Sequence, residues 1–300
     1  MNKDNKDSIK FQYISDLHLE FPENRDFLRR NPIKPVGEVL LVAGDFAYSV
    51  RNNEPKWRYD SYANEFLDYF SKNWAYTIIV PGNHEYYSAN ESIYLDESQY
   101  IKAQIRPNVF VLNNLTIDLV KKNNKIRIAT WDDRLNSSIE DNMVRILGTT
   151  LWSFIPYESH IRIKNGMNDY NYCFYKENET LSIGRTIELH YSALNFLKSN
   201  LCSPLTGELI KKKNIVVTHH LPSFKCISKG YQNNQLNNAY ASDLNKFIKD
   251  TKPTAWVFGH SHNIGKWKIG DTQLYEASLG YAFNNNEQKL KKCLNKTFTV

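Results

Sequence analysis

The sequence predicts an α/β fold. Apolar runs of strand length, rich in β-branched and aromatic residues, recur along the chain. Segments with helical spacing of apolar residues lie between some of them. The runs are continuous rather than alternating, as expected for sheets covered on their outer faces.

In chain order, the first strands are Phe11–Ile14 and Val39–Ala43. Ala63, Phe66, Leu67 and Phe70 then follow i, i+3, i+4, i+7 spacing and predict a helix. Ile78–Val80, Ile126–Ala129 and Ile146–Leu151 are the next strands. Ile187, Tyr191 and Leu194 predict a second helix, followed by the strand Ile215–Val217. Leu244, Phe247 and Ile248 predict a third helix behind Ser242 as N-cap, before the strand Ala255–Phe258. The stretch from about 153 to 181 fits neither period. Its many aromatics predict an ordered excursion packed on the body, so the chain reads as one domain over 9–300 with an insertion or cap at about 153–181. Residues 1–8 read as a disordered polar tail.

The chain has 300 residues, 41% hydrophobic and 23% charged, close to a soluble globular average. That excludes wholesale disorder, collagen and a disulfide-stapled mini-protein, and no apolar run is long enough to span a membrane. Net charge is +6, with short lysine clusters at Lys121–Lys122, Lys211–Lys213 and Lys289–Lys292. These read as solvated loops, with a nucleic-acid partner the less favoured reading. Cys173, Cys202, Cys226 and Cys293 lie far apart and lack C-x-x-C spacing. The polar start MNKDNKDS carries no apolar export segment. Together these features predict free thiols and a cytoplasmic location.

The chemistry lies at the strand ends. Ser15-Asp16-Leu17-His18 follows the first run, and Gly44-Asp45 the second. Pro81-Gly82-Asn83-His84-Glu85 follows Ile78–Val80. Thr218-His219-His220 follows Ile215–Val217, and Gly259-His260-Ser261-His262 follows Ala255–Phe258. Of the 8 histidines, all but His160 and His190 sit in these motifs, which scatter would not produce. Ligand crevices in α/β sheets open at the carboxyl ends of strands, so these motifs predict one cleft lined by carboxylates, an amide and imidazoles. Such donors suit Mn, Fe, Zn or Co better than Ca, and the lack of thiolates argues against a closed structural zinc site.

This set of motifs resembles that of the calcineurin-like metallophosphoesterase superfamily. Within it, the chain looks most like uncharacterised bacterial-type phosphoesterases, through Gly148–Ser153, Met167–Tyr170 and Ala241–Leu244. The resemblance implies a four-layer α/β/β/α sandwich of two mixed sheets flanked by helices. It implies two divalent metal ions, Mn favoured, with Asp16, His18 and His262 on one, Asn83, His219 and His260 on the other, and Asp45 bridging. It further implies attack on phosphorus by a hydroxide held between the metals, with His84 as general acid and Glu85 as a structural partner.

Protein Ser/Thr phosphatases of the superfamily carry Gly-Asp-x-x-Asp-Arg-Gly, whose second Asp supports the catalytic histidine. Here Tyr48 and Ser49 stand in place of that Asp and Arg. This argues against a protein phosphatase and leaves the partner of His84 open.

His160, Arg162, Asn168, Asp169, Tyr170 and His220 are candidate substrate contacts, with support of a turn the alternative for His220. Tyr48, Tyr86 and Tyr87 are candidates to stack on a substrate ring. The predicted substrate is a small phosphomonoester or phosphodiester, a nucleotide being one such ester. A nuclease and a non-catalytic scaffold on the same fold are the alternatives.

Overall fold

The computed structural model describes residues 7–50, 57–87, 93–135, 142–210 and 212–300. Residues 1–6 of the predicted tail and Lys211 lie outside the described residues. Ser8 is tied to the body, its carbonyl accepting from Lys121 Nζ at 2.9 Å.

The strands are, in order, β1 (Lys10–Ile14), β2 (Val39–Ala43), β3 (Ser49–Val50), β4 (Arg58–Tyr59) and β5 (Tyr76–Val80). Then come β6 (Ile101–Arg106), β7 (Val109–Asn113), β8 (Leu115–Lys122), β9 (Lys125–Ile128) and β10 (Val144–Thr149). Residues 153–181 hold β11 (Phe174–Lys176) and β12 (Glu179–Thr180). The rest are β13 (Lys213–Thr218), β14 (Ala255–Phe258), β15 (Ile264–Ile269), β16 (Thr272–Ala277) and β17 (Thr297–Thr299).

They form a six-stranded sheet, β17-β1-β2-β5-β7-β6, and a seven-stranded sheet, β15-β16-β14-β13-β10-β8-β9, with two small ribbons, β3–β4 and β11–β12. The middle of each sheet is parallel. Phe11 pairs with Val39, Leu41 with Ile78, and Ile215 with Ala255. Parallel pairing brings the carboxyl ends of β1, β2 and β5 together, and those of β13 and β14 likewise. The sheets meet at that end, where Ser15 bridges Ser278 and Leu279 N donates to Ser15 O at 3.0 Å.

Side-chain alternation builds the layers. Ile146, Ile215, Val217 and Val257 face the first sheet and share one core with Phe11, Leu41, Ile78 and Phe110. Their neighbours Leu147, Val216, Trp256 and Phe258 point the other way, under a helical layer. That layer includes the helices Ile183–Leu201 and Asn245–Thr251. The helices Pro22–Arg30 and Asn64–Asn73 cover the first sheet, burying Phe27, Leu28, Phe66, Leu67 and Phe70. The architecture is the α/β/β/α sandwich.

The helix predicted from Ile187, Tyr191 and Leu194 is present as Ile183–Leu201; it buries Leu189, Ala193, Phe196 and Leu197, packs Ile187 and Leu194 against the core, and leaves Tyr191 52% exposed. One local expectation is corrected. Ser242 does not cap the helix Asn245–Thr251. Its hydroxyl accepts from Phe154 N at 2.9 Å, and Asp243 Oδ1 accepts from Asn245 N instead.

Trp256 is fully buried and donates from Nε1 to Thr218 Oγ1 at 3.0 Å. Trp256→Ala is expected to cost about 3–5 kcal/mol, the usual range for emptying a large core site. Denaturant unfolding measures this, and a cost below about 1 kcal/mol is incompatible with the packing described.

Candidate metal centre

The strand-end residues leave their strands through backbone that side chains rarely adopt. Asp16, His18, Asp45, His260 and His262 have φ of 55°, 46°, 51°, 70° and 49°. Each such conformation costs about 1–3 kcal/mol and persists only where surrounding bonds impose it. Here they do. Asp16 N donates to Gly44 O at 3.0 Å, and His18 N to Asp45 O at 2.9 Å. Gly259 N donates to His219 O at 3.0 Å, and His260 N to Asp16 Oδ1 at 3.0 Å. The tight turns aim the side chains out of the strand ends and into one cleft.

Two glycines of the motifs are explained by close approach. A Cβ on Gly44 would lie 2.1 Å from the His219 ring, and φ there is +86°. A Cβ on Gly82 would lie 2.2 Å from Asp45 Oδ1.

Two clusters share Asp45, namely Asp16–His18–Asp45–His262 and Asp45–His219–His260, and a third is His18–Glu20–His84; the ligand atoms of each lie within 4.8 Å of one another. His18 Nε2 lies 3.0 Å from His262 Nε2 and 3.7 Å from Asp45 Oδ2. His219 Nε2 lies 3.0 Å from Asn83 Oδ1, 3.0 Å from His260 Nδ1 and 3.3 Å from Asp45 Oδ2.

Outer hydrogen bonds orient these donors, as they do for metal ligands generally. His219 Nδ1 donates to Ala43 O at 3.0 Å, and Asn83 Nδ2 donates to Asp169 Oδ1 at 2.8 Å. The Asn83 oxygen is thereby turned toward His219. Buried Glu85 accepts from the backbone N–H groups of Asp45, Phe46 and Gly82 at 3.1, 2.9 and 2.7 Å. It clamps the β2 and β5 loops together.

The donor set fits cations. Buried carboxylates, an amide oxygen and imidazole nitrogens converge, with His219 Nε2 left bare in its neutral form because the other ring nitrogen donates elsewhere. Burial opposes charge on His219, but Asp45 outweighs it and raises the ring to about 10. In the metal-free protein a proton therefore sits where a cation would lie. Burial likewise disfavours the Asp45 anion, yet His219, His84 and His18 hold it well below the usual carboxylate range. Burial would lower the His84 ring, and Asp45 and Glu20 raise it to about 9.

Of the predicted site residues, Asp16, His18, Asp45, Asn83, His84, His219, His260 and His262 converge. Asn168 lines the same cleft. Asp169 lies behind Asn83, with Tyr87 also donating to it. Buried Tyr170 lies 3.3 Å from Thr186 Oγ1 through its hydroxyl. His220 is buried against His260 and Trp152, its Nδ1 3.4 Å from Thr150 O. His160 faces the Ile155 carbonyl at 3.1 Å. Arg162 lines a neighbouring depression with Asn165 and Gln235, and neither His160 nor Arg162 borders the cleft. Of the tyrosines, Tyr87 stacks on His84 at 4.2 Å, whereas Tyr86 is buried in the core.

A family model described as calcineurin-like phosphoesterase matches residues 9–263. The chain belongs to the calcineurin-like phosphoesterase family. This phosphoesterase is a metal-dependent phosphoric ester hydrolase, and the family implies divalent metal ions at the donor clusters. It is 25% identical over 289 residues to uncharacterized protein L509 of Acanthamoeba polyphaga mimivirus, covering 92% of each chain. It is 23% identical to UPF0046 protein T07D4.2 of Caenorhabditis elegans, over 76% of this chain and 46% of that one. Among solved structures, phosphopantetheinyl hydrolase from Mycobacterium tuberculosis superposes with TM-score 0.60 at 16% identity, covering 97% of this chain and 95% of that one. That likeness shows the shared fold.

Sequence reasoning missed Glu20 and the outer wall. Glu20 Oε1 lies 2.8 Å from both His18 Nδ1 and His84 Nδ1. Its signal was the alternate spacing Asp16, His18, Glu20. Tyr231, Tyr240, Tyr281 and Lys289 line the cleft, whose volume is about 670 Å³. A larger depression of about 1060 Å³ runs beside β4 and β6 and holds none of the motif residues. No helix among the described residues is long and apolar enough to cross a membrane.

Gly82→Ala pushes a methyl group into Asp45. The variant is expected to fold yet retain less Mn²⁺ after dialysis than the wild type, as measured by elemental analysis. Full metal content would contradict the close approach. Glu276, buried between Ser261 and Ser278, gives a second prediction. Burial raises its carboxyl from 4.5 to about 8. Between those values the folded chain keeps a proton that the unfolded chain releases, so stability declines as pH rises. Thermal midpoints of metal-free protein should fall across this window, and less steeply in Glu276→Gln. Parallel curves would rule this out.

Proposed function

We propose that this phosphoesterase hydrolyses a small phosphomonoester or phosphodiester, using two divalent cations and His84 as the acid that protonates the leaving group. The observation that carries the reading is the double membership of Asp45. Its carboxylate faces both donor clusters, and its Oδ1 accepts the backbone N–H of His84 at 2.9 Å.

In this reading Asp16, His18 and His262 hold one cation, Asn83, His219 and His260 the other, and Asp45 both. Such a pair supplies Lewis-acid chemistry, offsetting phosphoryl charge and making water more acidic. The donor types favour Mn, with Fe, Zn and Co as alternatives. The chain's own residues do the rest. His84 borders the cleft, stacked on Tyr87. As the P–O ester bond breaks, its Nε2 proton passes to the leaving oxygen, and water supplies the hydroxyl that phosphorus gains.

The cleft volume of about 670 Å³ suits a small ester. Lys289 is the one Lys or Arg among the described residues lining it, which supports a small substrate over a nucleic-acid backbone. Tyr231, Tyr240 and Tyr281 offer ring faces to a planar leaving group, which supports a nucleotide. Gly166, Met167 and Asn168 border the cleft from the insertion, which supports its role as a cap. Four unpaired thiols support a reducing, cytoplasmic location.

Metal-stripped protein given Mn²⁺ should hydrolyse 4-nitrophenyl phosphate or its diester, and chelator should abolish the activity. Asp45→Asn should remove most of it. His84→Ala should lower turnover of an alkyl phosphate by about 10²–10⁴-fold, the span a positioned acid contributes, and that of 4-nitrophenyl phosphate by less. Turnover equal to wild type in both variants would overturn the assignment.

A further inference from the structure

Glu20 carries no role in the reading above, yet it is the carboxylate closest to His84. It lies two residues beyond His18, where the chain turns out of β1. The backbone there is pinned, because Arg25 Nη1 donates to Glu20 O at 3.2 Å and Phe21 N donates to His18 O at 3.0 Å. The side chain is 4% exposed. Its Oε1 sits 2.8 Å from His18 Nδ1 and 2.8 Å from His84 Nδ1. The two rings meet edge to face at 4.4 Å and 75°. Glu20 Oε2 has no hydrogen-bond partner among the described residues, so the contacts of the carboxylate run through one oxygen.

A carboxylate oxygen can accept two N–H bonds, and an ionised carboxylate can only accept. Both rings must then carry their proton on Nδ1. For His18 this leaves Nε2 as the donor atom facing Asp45 and His262. For His84 to act as an acid its ring carries two protons: the Nδ1 proton stays donated to Glu20, and the Nε2 proton is the one given to a group in the cleft.

We infer that Glu20 is the positioning residue for His84, a single buried oxygen setting the tautomer and tilt of the acid ring and of the metal-facing His18 ring together. The inference rests on the reading of His84 as the acid. It predicts a specific failure when Glu20 is removed. Protonation matters most for leaving groups that are poor without it, so the loss should grow as the leaving alcohol becomes more basic.

The test compares wild type, Glu20→Ala, Glu20→Gln and His84→Asn at saturating Mn²⁺, on aryl phosphates of graded leaving-group basicity and on an alkyl phosphate. Metal content is measured alongside. Glu20→Ala should lose about 10²-fold on the alkyl ester, the low end of a positioned acid's contribution, and much less on 4-nitrophenyl phosphate, reproducing the slope of His84→Asn. Glu20→Gln keeps an accepting oxygen and should recover part of the loss. In metal-free protein with ¹⁵N-labelled histidine, the His84 Nδ1 proton should be slow to exchange in wild type and Glu20→Gln, and lost in Glu20→Ala. If His84→Asn keeps the wild-type slope, the acid reading itself fails, and this inference with it. If His84→Asn changes the slope but Glu20→Ala loses evenly across the series, Glu20 acts through His18 alone and the inference is overturned. Persistence of the Nδ1 signal in Glu20→Ala overturns it independently.

Discussion

Asp45 imposes the central constraint. A buried carboxylate is costly unless charge and hydrogen bonds surround it, and this one is almost fully buried with three imidazoles facing it. The surrounding structure can be read as the arrangement that keeps it there. Its backbone N–H goes to Glu85, its Oδ1 takes the N–H of His84, and Gly82 lacks a Cβ so that this oxygen fits. The left-handed turns at Asp16, His18, His260 and His262 bring the other donors to the same point.

That concentration of like donors does little for the metal-free fold. Several imidazole nitrogens and carboxylate oxygens face one another, and only protons can sit between them. A site built this way gains from binding cations, since cations bound by the folded chain stabilise it by mass action. The strained turns are sustained by the hydrogen bonds between the strand-end loops and by the sheets beneath, whose parallel registers hold the loops side by side.

The segment from about 153 to 181 serves the site through particular residues. Asp169 orients Asn83, and the Cys173 thiol packs at 3.8 Å from the Asn83 carbonyl. Asn168 reaches the cleft beside them. Residues after the family match contribute the opposite wall, with Tyr281 against His18 and His262 at 4.7 and 4.6 Å. The strand-end motifs thus make the floor, while residues 166–168 and the segment after residue 263 shape the walls.

The α/β class and the grouping of the strand-end motifs were legible because both leave local signatures. Continuous runs such as Val39–Ala43 mark strands buried on two faces, and short polar tips after them mark where a ligand can be held. Less was legible where the signal is weak or non-local. β6 and β8 mix polar with apolar residues and were not picked out, and the outward turn of Tyr191 on an otherwise packed helix was not foreseen. Asp169 and Tyr170 had the residue types of substrate contacts but are buried. Glu20 had no motif of its own, and its meaning depends on His84, 64 positions away in the chain. By itself, then, the sequence determined the fold class and which side chains could gather at strand ends, since hydrophobic period and loop chemistry are properties of neighbouring residues. Only the tertiary structure decided which polar groups face the cleft and which support it, because that choice is made by contacts between segments far apart along the chain.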